Sequence, residues 1–356
     1  MQEIEKAREL INEKFVIAQT APSLKTALGE PFGIKSGTFV GGKLVTALYN
    51  LGFKRVFGTD FGAELRIMEE AAELKERLDS GKNLPLLTSC CPSWVGICVK
   101  KYPKLVKYLS TCKSPMEMVS SLSKSYLIYE KALYGEIGVA AIMPCYAKKM
   151  EVKRGQTDVV LTAMELVQWM KEDGINFKSL PDGTYDSPLG MCTSAGTVYA
   201  STGGVSESTL RTFYALYTND QFKKHLYKEE IIADGIRRAK VRAGDYKIKI
   251  AMIEGPGGID SFCRGMLDGD NRDYDLVEVM FCPGGCVGGN GMPNAGQQKY
   301  ISARIGALKE YDRRALVKSA HENPLVQEIY SLYLGEPFGK KAQEILHVKD
   351  FNVMFG

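Results

Sequence analysis

Gly138-Val139-Ala140-Ala141-Ile142-Met143-Pro144-Cys145-Tyr146-Ala147-Lys148-Lys149-Met150-Glu151 is the stretch on which the fold turns. Its first residues are uninterruptedly apolar or small, as in a strand covered on both faces inside a parallel sheet. Pro144 stops the run, and a thiol follows at once, ahead of a polar, lysine-bearing turn. The same order recurs twice. Leu84 to Leu87 leads into Thr88-Ser89-Cys90-Cys91-Pro92-Ser93-Trp94, and Leu276 to Phe281 leads into Cys282-Pro283-Gly284-Gly285-Cys286-Val287-Gly288-Gly289-Asn290-Gly291. Three distant strands therefore end in cysteine.

Working outward, Lys54 to Gly58 reads as a strand and Gly62 to Leu78 as a helix, with Leu65, Met68, Ala72 and Leu78 on or near its inner face and a stop at Asp79-Ser80-Gly81. Asp158 to Thr162 is a further strand, followed by a helix from Ala163 to Asp173. Lys247 to Glu254 is another, broken by Gly255-Pro256-Gly257-Gly258, which lacks the lysine and hydroxyl of a phosphate loop and reads as a turn. Alternating strands and helices define an α/β protein, and 356 residues suit one large domain or two packed lobes. Open α/β sheets bind ligands beyond the carboxyl ends of their strands, so the thiols should meet in one crevice.

Composition narrows the class. A hydrophobic fraction of 45%, a charged fraction of 25% and a net charge of +4 describe an ordinary globular protein and argue against a nucleic-acid groove or a membrane-embedded chain. Residues 1–15 read as an amphipathic helix without an apolar export core, which points to the cytoplasm. Nine cysteines in a reducing compartment are thiols, metal ligands or catalytic groups rather than disulfides. The three histidines, His225, His321 and His347, form no close pair, so any metal is held by sulfur.

A 4Fe-4S cubane needs four thiolates, and Cys91, Cys145, Cys282 and Cys286 supply that number. Structural zinc is the competing reading, but its cysteines usually sit in small knuckle loops rather than at scattered strand ends. The surrounding glycines favour a bulky cofactor that backbone must approach closely. Spacing alone indicates a redox cluster protein and does not identify a reaction.

Thr88 to Trp94, Met143 to Glu151 and Glu278 to Gly289 resemble, in order, the three signature motifs of FeFe (iron-only) hydrogenases. The likeness extends to Ala21-Pro22-Ser23, Phe61-Gly62-Ala63-Glu64, Thr202-Gly203-Gly204-Val205, His321-Glu322-Asn323 and Glu344-Ile345-Leu346-His347, so it spans nearly the whole chain. The resemblance implies a catalytic domain alone: lobes near 1–140 and 141–292 with mainly parallel sheets flanked by helices, a carboxyl-terminal helical segment over 293–356, and the cofactor in the cleft. It implies an H-cluster, with a 4Fe-4S cubane on Cys91, Cys145, Cys282 and Cys286. Cys286 would bridge to a diiron site carrying CO, CN and azadithiolate ligands. Lys148 would hold one cyanide and Ala21, Pro22 and Ser23 would wall the other. Met143 and Met280 would pack around the diiron unit. Cys90 would stay unligated and pass protons to the dithiolate amine.

For the proton route, Glu70, Ser110, Glu73 and Arg77 match the family positions leading from Cys90 to the surface. Taken without the family, Arg66 with Glu70 and Glu73 with Arg77 are i,i+4 pairs on a solvated helix face. Cys98, Cys112, Cys192 and Cys263 read as core thiols and His321 and His347 as structural, while Trp94 and Tyr199 could pack near the cofactor, although an aromatic at a buried turn is usually core. Two departures from the better-known pattern stand out: Asn290 and Met292 in the run after the third motif, and Met116 where a glutamine is common.

The expected enzyme reduces protons reversibly to hydrogen. No Cys-x2-Cys-x2-Cys series precedes Ala21, so electrons would come directly from an external carrier, an acidic ferredoxin, with Lys100, Lys101, Lys104 and Lys107 as contributors to its docking. Maturation enzymes would deliver the diiron subcluster. The alternatives are a hydrogenase-like iron-sulfur assembly factor and a hydrogen-sensing protein.

Overall fold

The protein is described by a computed structural model that covers residues 2–129, 136–218 and 227–354. His225 lies outside the described residues. Among the described residues, nine strands form two sheets. In chain order they are β1 Phe15–Thr20, β2 Arg55–Gly58, β3 Leu86–Leu87, β4 Ile137–Met143, β5 Val159–Thr162, β6 Glu230–Ala233, β7 Ile236–Ala243, β8 Tyr246–Glu254 and β9 Leu276–Met280. The first sheet has the order β2-β1-β4-β5 and is parallel throughout, with Ile17 opposite Val139 and Ala141 opposite Val160. Every residue of β4 is buried, which is why its sequence is apolar without alternation.

The second sheet has the order β3-β9-β8-β7-β6; β3, β9 and β8 run parallel, and β8, β7 and β6 form an antiparallel meander. The strands do not divide at residue 140: β4 spans that point, β5 belongs to the first sheet, and β3 pairs into the second through Leu86 and Leu276.

The helices are α1 Gln2–Glu13, α2 Gly41–Asn50, α3 Thr59–Ser80, α4 Pro92–Lys101, α5 Pro115–Tyr129, α6 Ala163–Glu172, α7 Ser194–Val198, α8 Gly204–Tyr217, α9 Gly255–Asp268, α10 Gln298–Arg314, α11 Pro324–Ile329 and α12 Lys340–Leu346. The Gly255-Pro256-Gly257-Gly258 run is not a turn but the first turn of α9. Gly255 takes φ +76° at the corner, and Pro256 fits a helix start because its missing N–H would have no partner there.

α3 is the internal column. It is buried around nearly its whole circumference, from Thr59 through Leu74. It passes α5 so closely that a Cβ on Gly62 would lie 2.1 Å from the Pro115 carbonyl oxygen. A helix in that position must pair its own charges, which the site below exploits. No helix among the described residues is long and apolar enough to cross a membrane.

Candidate active site

The carboxyl ends of parallel strands from both sheets deliver the thiols. β3 leads to Cys90 and Cys91, the latter capping α4 just before Pro92; β4 leads to Cys145, which precedes the 3-10 turn Tyr146–Arg154; β9 leads to Cys282. Cys286 follows a tight turn in which Gly284 and Gly285 take φ +75° and +85°. A Cβ on Gly285 would meet Thr202 N at 2.7 Å, so glycine lets this loop lie against residues 200–202.

Cys91, Cys145, Cys282 and Cys286 stand close enough that charge on one raises the proton affinity of its neighbours. Burial raises all four pKa values, Cys282 to about 12. Backbone N–H groups nevertheless aim at the sulfurs: Trp94 and Phe281 at Cys91, Ala147 and Lys148 at Cys145, and Asn290 at Cys282. Amide donors directed at buried sulfur favour thiolates, the form that iron binds.

Beside them is a cavity of about 50 Å³. Ala21, Pro22 and Ser23 form one wall, and Met143, Met280 and Met116 contribute soft apolar surface. Lys148 reaches in from the first sheet; its ammonium donates to Glu151 at 2.9 and 3.0 Å and to the Cys90 carbonyl oxygen at 3.2 Å. Burial opposes that charge, but Glu151 more than offsets it and the lysine pKa stays above its ordinary value. Ser23 Oγ is buried and has no hydrogen-bond partner among the described residues. A cation and an orphaned hydroxyl in an apolar chamber suit a bulky anionic group with its own acceptors.

Cys90 lines the same chamber but stands apart in chemistry. Burial pushes its thiol up to about 12, Arg66 opposes the shift and Glu70 adds to it, so it rests as a neutral thiol. Behind it, Arg66 donates to Glu70 Oε1 at 2.7 Å, and Glu70 Oε2 has no partner among the described residues. Ser110 Oγ donates to Glu73 Oε2 at 2.8 Å, and Arg77 donates to Glu73 Oε1 at 2.6 Å. Burial raises the Glu70 pKa, whereas at Glu73 Arg77 and the Thr111 N–H overcome burial and lower it. Arg66, Glu70, Glu73 and Arg77 of this helix, and Ser110 beside it, are all buried, which excludes the solvated-face reading.

The sequence marked most of this chamber and missed part of it. Thr59, Ala63, Pro115 and Ala200 also line it. Tyr199 lines it as well, whereas Trp94 lies in another core and donates to the Thr88 carbonyl at 2.9 Å. Lys100, Lys101, Lys104 and Lys107 are all exposed; Lys101 pairs with Asp260.

Residues 14–290 match the family described as the iron only hydrogenase large subunit, C-terminal domain, and residues 298–349 match the iron hydrogenase small subunit. The chain belongs to the iron-only hydrogenase family. This hydrogenase-family chain is 38% identical over 355 residues to the NADP-reducing hydrogenase subunit HndD of Solidesulfovibrio fructosivorans, covering 95% of itself and 60% of that protein. Its structure superposes on the FeFe-hydrogenase HydA1 of Chlamydomonas reinhardtii with a TM-score of 0.86 at 33% identity, covering 97% of this chain and 98% of that one. It is also 28% identical over 371 residues to Protein NAR1 of Arabidopsis thaliana, covering 94% of this chain and 78% of that one. The cofactor of the iron-only hydrogenase family is the H-cluster, and the four thiols, Lys148 and Ser23 fit it.

Proposed function

We propose that this chain catalyses the reversible reduction of protons to hydrogen. Cys91, Cys145, Cys282 and Cys286 would hold the iron-sulfur part of the cofactor, with Cys286 also lining the chamber that would take the diiron part. When bound, the H-cluster supplies the two-electron chemistry at iron. The observation that carries the reading is Cys90: a neutral thiol in the cofactor chamber, outside the ligand set, backed by buried carboxylates. Cys90 exchanges a proton across the chamber and is recharged from Glu70, which Ser110 links to Glu73 and Arg77. Lys148 and Ser23 hold the polar ends of the cofactor, while Met143, Met280, Ala21 and Pro22 keep water out.

The electron donor in this reading is an external carrier, ferredoxin, meeting the protein near Cys282 and Cys91, whose residues remain partly exposed. Hydrogen and protons are the substrates, maturation enzymes insert the diiron unit, and the protein works in the cytoplasm. The likeness to NAR1 gives the second reading, an iron-sulfur assembly role. Anaerobic protein matured with a synthetic diiron precursor separates the two. Carbonyl and cyanide infrared bands with hydrogen evolution from reduced viologen support the enzyme; a bound cubane with neither supports assembly.

A further inference from the structure

The relay above ends on a residue that cannot pass a proton. Arg77 is held by four acceptors, Glu73 Oε1 and the carbonyls of Asn83, Tyr108 and Leu109, all within 2.9 Å. A guanidinium does not deprotonate in proteins, so it can fix the Glu73 charge but not refill it.

A second chain of hydrogen bonds leaves Glu73 in another direction. Glu73 Oε1 accepts from Thr111 Oγ1 at 3.3 Å, and that hydroxyl is 2.8 Å from His347 Nδ1. His347 Nε2 is 2.8 Å from Glu69 Oε2, and Glu69 also accepts from the Tyr330 hydroxyl and the Phe338 N–H. The contact is fixed by backbone: Lys113 N donates to Leu346 O at 2.8 Å, and Val348 N donates to Thr111 O at 2.7 Å. His347 is buried, 6% exposed, while Thr111 and Val348 on either side of it are half-buried, so the branch runs to just beneath the surface.

We propose that His347, acting through the Thr111 hydroxyl, is the group that loads and unloads protons at Glu73, and that the carboxyl-terminal segment thereby completes the relay. This rests on the hydrogenase reading above. In the forward step the imidazolium Nδ1–H bond breaks and its proton goes to Thr111 Oγ1, while the Thr111 hydroxyl proton goes to Glu73 Oε1. The imidazole is left neutral, its Nε2–H donated to Glu69, and solvent at the surface edge restores the proton.

Histidine is the side chain whose ordinary titration falls near neutrality, which an entry group requires. The groups facing His347 are Glu69, Glu73 and Arg77 from α3, Cys112 and Lys113 from the 109–114 segment, and Tyr330 behind Glu69. Glu73, Cys112 and His347 place ligand atoms within 4.8 Å of one another. Both ring nitrogens and both Glu73 oxygens already have hydrogen-bond partners, which favours a proton relay over a metal site.

The test compares His347→Gln and Thr111→Val with wild type, both matured. Expected are hydrogen-evolution rates at least about tenfold lower in each, an altered pH-rate profile, and rescue of His347→Gln, not Thr111→Val, by added imidazole. Should His347→Gln fail to fold, Thr111→Val, which keeps shape and loses only the hydroxyl, carries the test alone. A wild-type rate and profile, or a rate loss with an unchanged profile and no rescue, overturns the proposal. In protein lacking the diiron unit, the 15N NMR signal of His347 Nδ1 should move in Thr111→Val and in Glu73→Gln, because both variants break the hydrogen-bonded chain; no movement also overturns it. Wild type that shows infrared bands but evolves no hydrogen would instead sink the enzyme reading, with the NMR result still deciding the Glu73–His347 link.

Discussion

Ser110 donates its one hydroxyl proton to Glu73 at 2.8 Å, while Glu70 Oε2 is buried with no hydrogen-bond partner among the described residues. One carboxylate is pushed towards the neutral form and the other held ionised, so a proton shared between them has a preferred resting place on Glu70.

That asymmetry predicts the effect of breaking the series. Glu70→Gln and Cys90→Ala should each lower hydrogen evolution by about 10²- to 10⁴-fold, the usual worth of a positioned proton donor. The carbonyl and cyanide bands should persist, because neither residue belongs to the cysteine ligand set. Loss of the bands together with activity would reassign these residues to cofactor binding.

The Arg77–Glu73 pair is buried on both sides, so Arg77→Met strands a carboxylate and should cost about 3–5 kcal/mol. Since folding lowers the Glu73 pKa below 4.5, its contribution is present above that pH and fades as pH falls below it. Urea denaturation at pH 7 and pH 4 checks both points: the wild-type advantage over Arg77→Met should shrink at the lower pH.

Glu64 and Glu278 behave oppositely. Burial raises Glu64 to about 8 and Glu278 to about 7 despite hydrogen bonds from Thr193 and Asn323 to the first and from Gly203 and Ser206 to the second. A raised folded pKa means the folded state holds more protons, so their share of stability is complete below pH 4.5 and is lost as pH rises through 7 and 8. Denaturation midpoints should fall between pH 5 and 9, less steeply in Glu64→Gln. An equal slope in that variant would remove Glu64 as a cause.

Gly62→Ala should destabilise by about 3 kcal/mol, the upper range for overpacking, because the new methyl meets the Pro115 carbonyl. Pro115 and Met116 line the cofactor chamber, so the variant should also shift the cyanide bands. Thermal unfolding and infrared spectra of the matured protein test the two effects together.

The thiols at strand ends were legible because a buried parallel strand leaves a continuous apolar run and proline marks its end. β1 was not, because Gln19 and Thr20 break its run; both are buried, and Gln19 donates to Ser120 at 2.7 Å and to the Met116 carbonyl at 3.1 Å. β6 and β7 escaped notice because their charged residues face outward on an edge meander. The charges of α3 looked solvated because their partners, such as the Cys112 and Lys113 carbonyls that accept from Arg66, come from distant chain. Pro115 and Ala200 carry no local signal at all; only the folded chain brings them to the chamber.

Because the four thiols hang from three strands divided between two sheets, a cubane held by them would also be a staple. Iron bound there would join residues 91, 145, 282 and 286 across long stretches of chain, and closing such loops removes freedom from the unfolded state. Chelation should therefore unfasten the two sheets at this end of the molecule first, leaving their far edges intact.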